Sequence, residues 1–259
     1  MLIFGLLLIA LGGALLYVRK RTEARLLEIL FVKTTSVSDA LELQHSVAEE
    51  IGPGGFAQQM EFKGVVACDT PLTSELAQQP CVYYSMSVEE RYEEDFDERD
   101  AQGSIRKRTR TGSTIVASNT RHTRFLLDDG SGCIPVDLHG ASIDAVKALE
   151  RFEAYNASVG TLRAGTFTFQ IATPTPKRRI LGYHYRESII PVGQQLYALG
   201  EVHDGSGEAV LRFPSDPKSP FIVSVKSEEE LVRSKRKSSR HLLIGAVVCF
   251  IIGALLLFL

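Results

Sequence analysis

The sequence predicts a mainly β protein, α+β in class, carried between two membrane-spanning helices. Three observations predict it. An apolar run closes each end of the chain, from Leu2 to Val18 and from Leu242 to Leu259. Between these runs, several segments alternate apolar and polar residues with a period of two, as half-buried strands of a mainly antiparallel sheet do. Two nearly identical turns, Asp129-Gly130-Ser131-Gly132 and Asp204-Gly205-Ser206-Gly207, punctuate those strands.

Each terminal run lies near the lower end of the ~17–25 residues a helix needs to cross a bilayer. Met1 alone precedes the first run, and its exit, Leu15-Leu16-Tyr17-Val18-Arg19, lacks a small-x-small cleavage site. That argues for a retained anchor over a signal peptide. Arg19-Lys20-Arg21 follows the first run, and Arg233, Lys235, Arg236, Lys237 and Arg240 precede the second. Both basic clusters thus flank the central body, and loops rich in Lys and Arg stay on the cytoplasmic side. The expectation is an integral, multi-pass membrane protein with its body in the cytoplasm and both termini on the opposite side. Gly12, Gly13, Gly245 and Gly253 would let the two helices pack closely, or they simply face lipid.

The domain reading follows. Residues 2–18 and 242–259 are transmembrane helices, 19–55 a juxtamembrane helical stalk with a Gly-rich hinge, 56–226 the β domain, and 227–241 a basic juxtamembrane helix. Twenty-nine Lys and Arg against 31 Asp and Glu give a formal charge of −2. That balance argues against a nucleic-acid binder. The basic flanks instead suit anionic lipid headgroups. Cys68, Cys81, Cys133 and Cys249 are scattered without metal-ligand spacing, so neither a metal nor another cofactor is expected. In the cytoplasm they should be reduced and buried.

Residues 21–51 read as helical from Val37, Leu41, Val47 and Ile51; Ser36 or Ser38 caps the start and Gly52-Pro53-Gly54-Gly55 ends it. Strands follow. Val82, Tyr84, Met86 and Val88 alternate with Tyr83, Ser85, Ser87 and Glu89, and Ile134, Val136 and Leu138 alternate with Pro135, Asp137 and His139. Leu196, Ala198 and Val202 face opposite to Tyr197, Leu199 and Glu201, and Phe167, Phe169 and Ile171 repeat the pattern. Asp-Gly between such strands signals a hairpin, because glycine supplies the positive φ of the turn. A calcium loop would need acidic oxygens at further alternate positions, which hold Ser, Gly, Ile and Glu.

The acidic stretch Glu93–Glu98 and the basic stretch Arg106–Arg110 suggest a third hairpin. Folding near Gln102-Gly103 would set Asp97 against Arg108, Glu98 against Lys107 and Asp95 against Arg110; otherwise the segment is a solvated charged loop. Ser142, Ile143, Val146 and Leu149 predict a short helix. Further strands are expected at Thr166–Ala172, Ile180–Ile190 and Phe221–Val225. This order resembles an oligonucleotide/oligosaccharide-binding (OB) barrel with additions, so the expected fold is an elaborated OB-like antiparallel barrel or sandwich. Ser227 and Glu230 form a capping box that starts a helix running into the second apolar segment.

Catalytic motifs are wanting: the sequence holds no Walker loop, GxGxxG or HExxH. Asp137 and His139 share a strand face and Ser142 follows, but a triad converges from separate elements, so a solvated strand face is the better reading. Cys81, opening a strand beside Pro80, reads as a buried structural thiol and not as a nucleophile. Tyr83, Tyr84, Tyr183 and Tyr185 either pack or form a recognition surface.

One set of motifs carries a resemblance. It comprises Gly64, Pro71-Leu72-Thr73-Ser74-Glu75-Leu76, Gln79-Pro80-Cys81-Val82-Tyr83-Tyr84 and Phe125-Leu126-Leu127-Asp128-Asp129-Gly130-Ser131-Gly132. It continues in Glu187-Ser188-Ile189-Ile190-Pro191-Val192-Gly193 and Leu196-Tyr197-Ala198-Leu199-Gly200-Glu201. In these the chain resembles the GIDE, or BAM ("beside a membrane"), domain family of MULAN/MAPL-type membrane ubiquitin ligases, and most of all its short bacterial, cyanobacterial-like branch. The resemblance spans about residues 60–235 together with both anchors. It marks Pro71, Leu72, Ser74, Pro80, Cys81, Tyr83, Tyr84, Asp129, Gly130, Gly132, Glu187, Pro191, Gly193, Gly200 and Glu201 as motif positions.

In the eukaryotic members a zinc-binding RING finger after the second helix carries ubiquitin transfer, and this chain stops at Leu259. The resemblance therefore implies the membrane-anchored recognition half of such a ligase, with a protein partner. Ubiquitin transfer itself, or lipid or small-ligand binding in the barrel, is the alternative. In the mitochondrial members the domain faces the intermembrane space, whereas the basic flanks here place it in the cytoplasm.

Overall fold

The computed structural model describes residues 2–99, 103–156, 161–164, 167–170, 175, 177–205 and 207–258. Two helices open the chain, α1 (Leu2–Phe31) and α2 (Val37–Ile51). Strands β1 (Ala57–Ala67), β2 (Leu72–Thr73), β3 (Pro80–Arg99), β4 (Ile105–His122), β5 (Phe125–Asp128), β6 (Cys133–Val136) and β7 (Ser142–Asp144) follow. Then come β8 (Val146–Ala154), β9 (Thr161–Ala164), β10 (Phe167–Gln170), β11 (Arg178–Pro191), β12 (Gln195–His203), β13 (Val210–Arg212) and β14 (Ile222–Ser224). Helix α3 (Glu228–Phe258) closes the chain. These elements form two compact units: the first takes residues up to Gly64, Leu127–Asp144 and those from Gln195 onward, and the second takes Val65–Leu126 and Ala145–Gln194.

The first unit is a barrel with helices. Its strands run in the order β1-β5-β6-β13-β12-β14-β7, and β12 also pairs with β1, so five of them close into a ring. β13 runs parallel to β6 and β14 parallel to β7. Phe62, Leu127, Ile134, Val136, Leu199, Leu211 and Val223 are buried in this unit. Strand β12 departs from the expected alternation, because Leu196, Tyr197, Ala198 and Leu199 are all buried. A strand paired on both edges and covered on both faces has no solvent side to carry polar residues.

α1 and α3 lie antiparallel in the first unit. Gly5 approaches Gly253 so closely that a Cβ on Gly253 would stand 3.0 Å from the Gly5 carbonyl oxygen, and one on Gly12 would stand 3.1 Å from the Phe250 ring. Gly13 faces open space and Gly245 makes ordinary contact only, so two of the four expected glycines serve the packing. Arg19 and Glu23 of α1 form an ion pair, and Ser239 of α3 donates to Glu23 at 2.8 Å. The outer faces carry exposed Ile3, Phe4 and Leu7 on α1 and Ile251 and Leu255 on α3. Both helices are long and apolar enough to cross a membrane. α1 runs unbroken past Val18 to Phe31, and a separate helix begins at Val37.

The second unit is an antiparallel sheet in the order β2-β3-β11-β8, with β4 also on β3. β3 alternates as expected: Val82, Tyr84, Met86, Val88 and Glu90 are buried, and the residues between them less so. β3 and β4 form the charged hairpin, but one residue out of the expected register. Asp97 faces Lys107, Glu98 faces Arg106 and Asp95 faces Thr109. An odd number of residues joins Arg99 to its partner Ile105, whereas a turn centred between Gln102 and Gly103 needs an even number. Ion pairs form nonetheless, Arg108 with Glu98 and Arg110 with Glu94.

The helix expected from Ser142 is absent: residues 142–144 and 146–154 are strands. A bulge opposite Glu187 and Ser188 interrupts the pairing of β8 with β11 at Ala148. The break between β7 and β8 at Ala145 and this bulge both interrupt the two-residue period, and the remaining three-residue spacing of Ile143, Val146 and Leu149 imitates a helix. Of the strand expected at Thr166–Ala172, Phe167–Gln170 is β10, paired with β9; Thr166 and residues 171–172 lie outside the described residues. Cysteine burial was expected throughout, but Cys133 is exposed and Cys68 and Cys249 are half-buried; Cys81 is buried.

Gly253→Leu is expected to lower the thermal midpoint of the detergent-solubilised chain by about 2–4 °C for each kcal/mol of lost packing. Gly13→Leu, placed where nothing stands near, should leave the midpoint unchanged in the same melt.

Candidate functional site

The motif positions gather in two places, one in each unit. In the second unit, β2 pairs with the start of β3, Leu72 against Cys81 and Thr73 against Pro80. The loop between them turns on Ser74, whose amide donates to the Gln79 carbonyl and whose hydroxyl accepts from the Gln79 amide. Glu187 reaches this loop from β11. Its carboxylate accepts from the amides of Glu75 at 2.9 Å, Leu76 at 3.0 Å and Ala77 at 2.7 Å. Three amides converging on one carboxylate form an anion nest, and here the anion is the chain's own. Glu187 is 1% exposed.

Glu75 points the other way. One of its oxygens accepts from the Tyr84 hydroxyl at 2.7 Å and from the Asn119 amide at 2.6 Å. Burial, and then the bond to Glu75, push the Tyr84 hydroxyl up to about 12. Cys81, Tyr84 and Ile189 form an apolar cluster with Leu72 and Ala148 against it. Burial, and next the Glu187 charge, push the Cys81 thiol up to about 11. Such a thiol is protonated near neutrality and enclosed, which is the opposite of what a nucleophile needs. Tyr183 and Tyr185 are buried beside Val88 and Ile180, and Tyr83 is half-buried, so the tyrosines pack. Pro191 and Gly193 form the turn leaving β11, where Gly193 has φ +80° and its amide donates to Val66.

In the first unit, both Asp-Gly turns grip α2. Asp129 accepts from the Val37 amide at 2.8 Å, Ser131 accepts from the Ser38 amide at 3.0 Å, and Ser36 accepts from the Asp39 amide at 3.1 Å. The first three amides of the helix, which would otherwise lack acceptors, are thereby satisfied. Gly130 has φ +85°, and Gly132 leaves room for Val37, which a Cβ would meet at 3.2 Å. The second turn holds the exit. Asp204 accepts from the Phe56 amide at 3.0 Å and from Gln44 on α2 at 3.1 Å. Burial opposes ionisation of both aspartates, but it is outweighed. Hydrogen bonds from Ser131 and the amides of Val37, Ser131 and Gly132 hold Asp129 low, and those from Gln44 and the Phe56 amide do the same for Asp204. Glu201 accepts from both the amide and hydroxyl of Ser215. Gly200 lies so close to Phe221 that a Cβ would stand 2.6 Å from its ring.

A third cluster has no signal in the sequence. Glu61 on β1, 1% exposed, accepts from Thr34 at 2.6 Å and from the Tyr197 hydroxyl at 2.9 Å. Lys63, two residues on, lies 3.4 Å from Glu61 and 2.8 Å from Glu228, the first residue of α3. The bond to Glu228 raises the Lys63 ammonium, and burial followed by Glu61 carries the Tyr197 hydroxyl far up. Val32 and Leu231 pack against Tyr197 and Leu199 beside this network. The sequence separations that bring Thr34, Glu61, Tyr197 and Glu228 together leave no local pattern to read.

Asp137, His139 and Ser142 form no triad. Asp137 accepts from the His139 backbone amide at 3.0 Å, and no hydrogen bond among the described residues joins the three side chains. Among the described residues, no group of three or more His, Cys, Asp or Glu is arranged to hold a metal ion. The arrangement binds loops, helix ends and strands to one another.

Fold and motif cluster together define a β body between two apolar helices, and comparison with known proteins gives its class. Residues 93–258 match the GIDE family, described as E3 Ubiquitin ligase, and the chain belongs to that family. It is 23% identical over 261 residues to the E3 ubiquitin-protein ligase SPL1 of Arabidopsis thaliana, covering 95% of this chain and 67% of that one. It is 27% identical over 237 residues to the E3 ubiquitin-protein ligase SP1 of the same plant, covering 89% of this chain and 62% of that one. The chain thus spans about two thirds of the length of these relatives. No solved structure matches it.

Glu187→Ala leaves three amides without an acceptor and is expected to destabilise the chain by on the order of 3 kcal/mol, read by denaturant unfolding. Glu187→Gln, which keeps one acceptor oxygen, should lose less. The two turn aspartates have folded-state values below the ordinary ~3.9. Their contribution is therefore complete above that value and is lost as pH falls through the lower, folded one. The hydrogen-exchange protection factors of the Val37 and Phe56 amides, referred to the intrinsic rate at each pH, should fall in that acid window, and protection persisting at pH values below it would contradict the assignment.

Proposed function

We propose that this chain is a two-pass membrane protein whose body is a membrane-tethered recognition module for a protein partner, related to the substrate-facing portion of membrane ubiquitin ligases. One observation carries the reading. Two apolar helices, antiparallel and in contact through glycine, bracket a β body whose buried motif carboxylate, Glu187, is already saturated by its own chain. Membership of the GIDE family supports the relationship to ligases. An OB-like body belongs to this reading; the five-strand ring with one parallel pair in it, β6 with β13, supports it. The motif positions act as framework for the recognition surface. The basic residues at the roots of α1 and α3 support a cytoplasmic side for the body, against anionic headgroups.

Ubiquitin transfer is the second reading, favoured by the family's description and by the names of both plant relatives. Crosslinking in native membranes, followed by purification of the intact chain, is expected to recover one defined protein partner. In a purified ubiquitination assay the chain alone should form no conjugates. Conjugates in that assay, with no partner recovered, would exchange the two readings. Protease added to sealed inside-out vesicles should digest the body, and full protection would reverse the orientation.

A further inference from the structure

The two membrane helices leave a cleft where their apolar stretches begin. It measures about 300 Å³ and is lined by Arg19 and Glu23 of α1 and by Arg236, Ser239, Arg240 and Leu243 of α3. The charges in it are unequally satisfied. Arg19 pairs with Glu23 at 2.8 Å, and Ser239, buried between the helices, donates to the same Glu23 oxygen. One oxygen of that carboxylate is therefore engaged, and its charge offsets that of Arg19. Arg236 and Arg240 stand one helical turn apart on the same face, and neither is paired with a carboxylate among the described residues. Two like charges at that spacing repel, and an anion between them removes the repulsion. One turn further toward the C-terminus the lining becomes apolar at Leu243.

We propose that this cleft holds the phosphate of an anionic phospholipid between Arg236 and Arg240, with an acyl chain descending along Leu243. Guanidinium groups match phosphate oxygens in pairs of parallel hydrogen bonds. At the edge of the hydrocarbon the surrounding dielectric is low, which strengthens that attraction relative to water. Arg19 closes the opposite wall and keeps Glu23 from repelling the lipid. The site differs from the surrounding collar of Lys20, Arg21, Lys235 and Lys237, whose charges attract any anionic surface without selecting a position. It deepens the proposed function, since it rests on α1 and α3 spanning a bilayer.

The test is native mass spectrometry of the intact, detergent-solubilised chain with phosphatidylglycerol, phosphatidylcholine or inorganic phosphate added. Phosphatidylglycerol should be retained in preference to phosphatidylcholine, and Arg236→Gln with Arg240→Gln should weaken it by about tenfold or more, at least the scale of one charge-assisted hydrogen bond. Lys235→Gln with Lys237→Gln removes the same charge from the collar and should change it by less than about twofold. Equal losses in the two double variants would mean diffuse attraction and would overturn the site. Equal retention of the two lipids would overturn it as well. Retention of inorganic phosphate in place of the lipid would leave an anion site with no lipid in it and refute the assignment. Release of the chain from membranes by alkaline carbonate would instead defeat the membrane reading itself, whereas a carbonate-resistant chain without lipid preference defeats this proposal alone.

Discussion

A buried carboxylate cannot stay in a protein interior without partners, and Glu61 is the point on which the first unit turns. Its oxygens take hydrogen bonds from Thr34, just after α1, and from Tyr197 on β12, while Lys63 carries its charge across to Glu228 at the start of α3. An ionised carboxylate in this position is costly unless each oxygen is met. Satisfying it obliges the exit of one apolar helix and the entry of the other to sit beside the same two strands. Val32 and Leu231 complete the junction by burying apolar surface against Tyr197 and Leu199. The antiparallel pairing of α1 with α3 then follows, because both helices leave the barrel from one place.

The same logic recurs at smaller scale. Asp129 and Asp204 occupy matching places in two turns that look alike in the sequence, yet one caps the start of α2 and the other binds its middle at Gln44 and the chain beyond it at Phe56. Glu187 does for the Ser74–Ala77 loop what an external anion does for a phosphate-binding loop. In each case a carboxylate organises backbone amides that would otherwise be buried without acceptors. The positions that carry the likeness to the GIDE family therefore include several whose work is structural, and the chemistry they perform is to keep loops in place.

How much of this the sequence discloses depends on the range of the interaction. The β3 alternation, the Asp-Gly hairpins, the Ser36 and Ser227 caps and the break at Gly52 are local, and each was legible in a few consecutive residues. The charged hairpin was legible as a hairpin, but its register slipped by one residue because an odd loop cannot be told from an even one by charge alone. Residues 142–149 carry no local mark of strand, since the break at Ala145 and a bulge at Ala148 leave an apolar spacing that belongs equally to helices. Exposure of Cys133 was equally hidden, because in a four-residue strand the face a residue takes is set by the partner strands.

The sequence by itself determined the architecture: two apolar helices at the ends, a β body between them, basic residues at the boundaries and the family likeness. Each of these is written in composition or in short-range periodicity, which survives without knowledge of what touches what. Tertiary structure alone decided which motif residues meet, that Glu187 and the two aspartates are held by hydrogen bonds, that Glu61 ties both helix roots together, and that Arg236 and Arg240 line one cleft. Those facts join residues as far apart as Thr34 and Tyr197, or Arg19 and Ser239. Hydrogen bonds and ion pairs have directions and lengths of a few ångströms, so which groups satisfy one another is settled only when the chain has closed on itself.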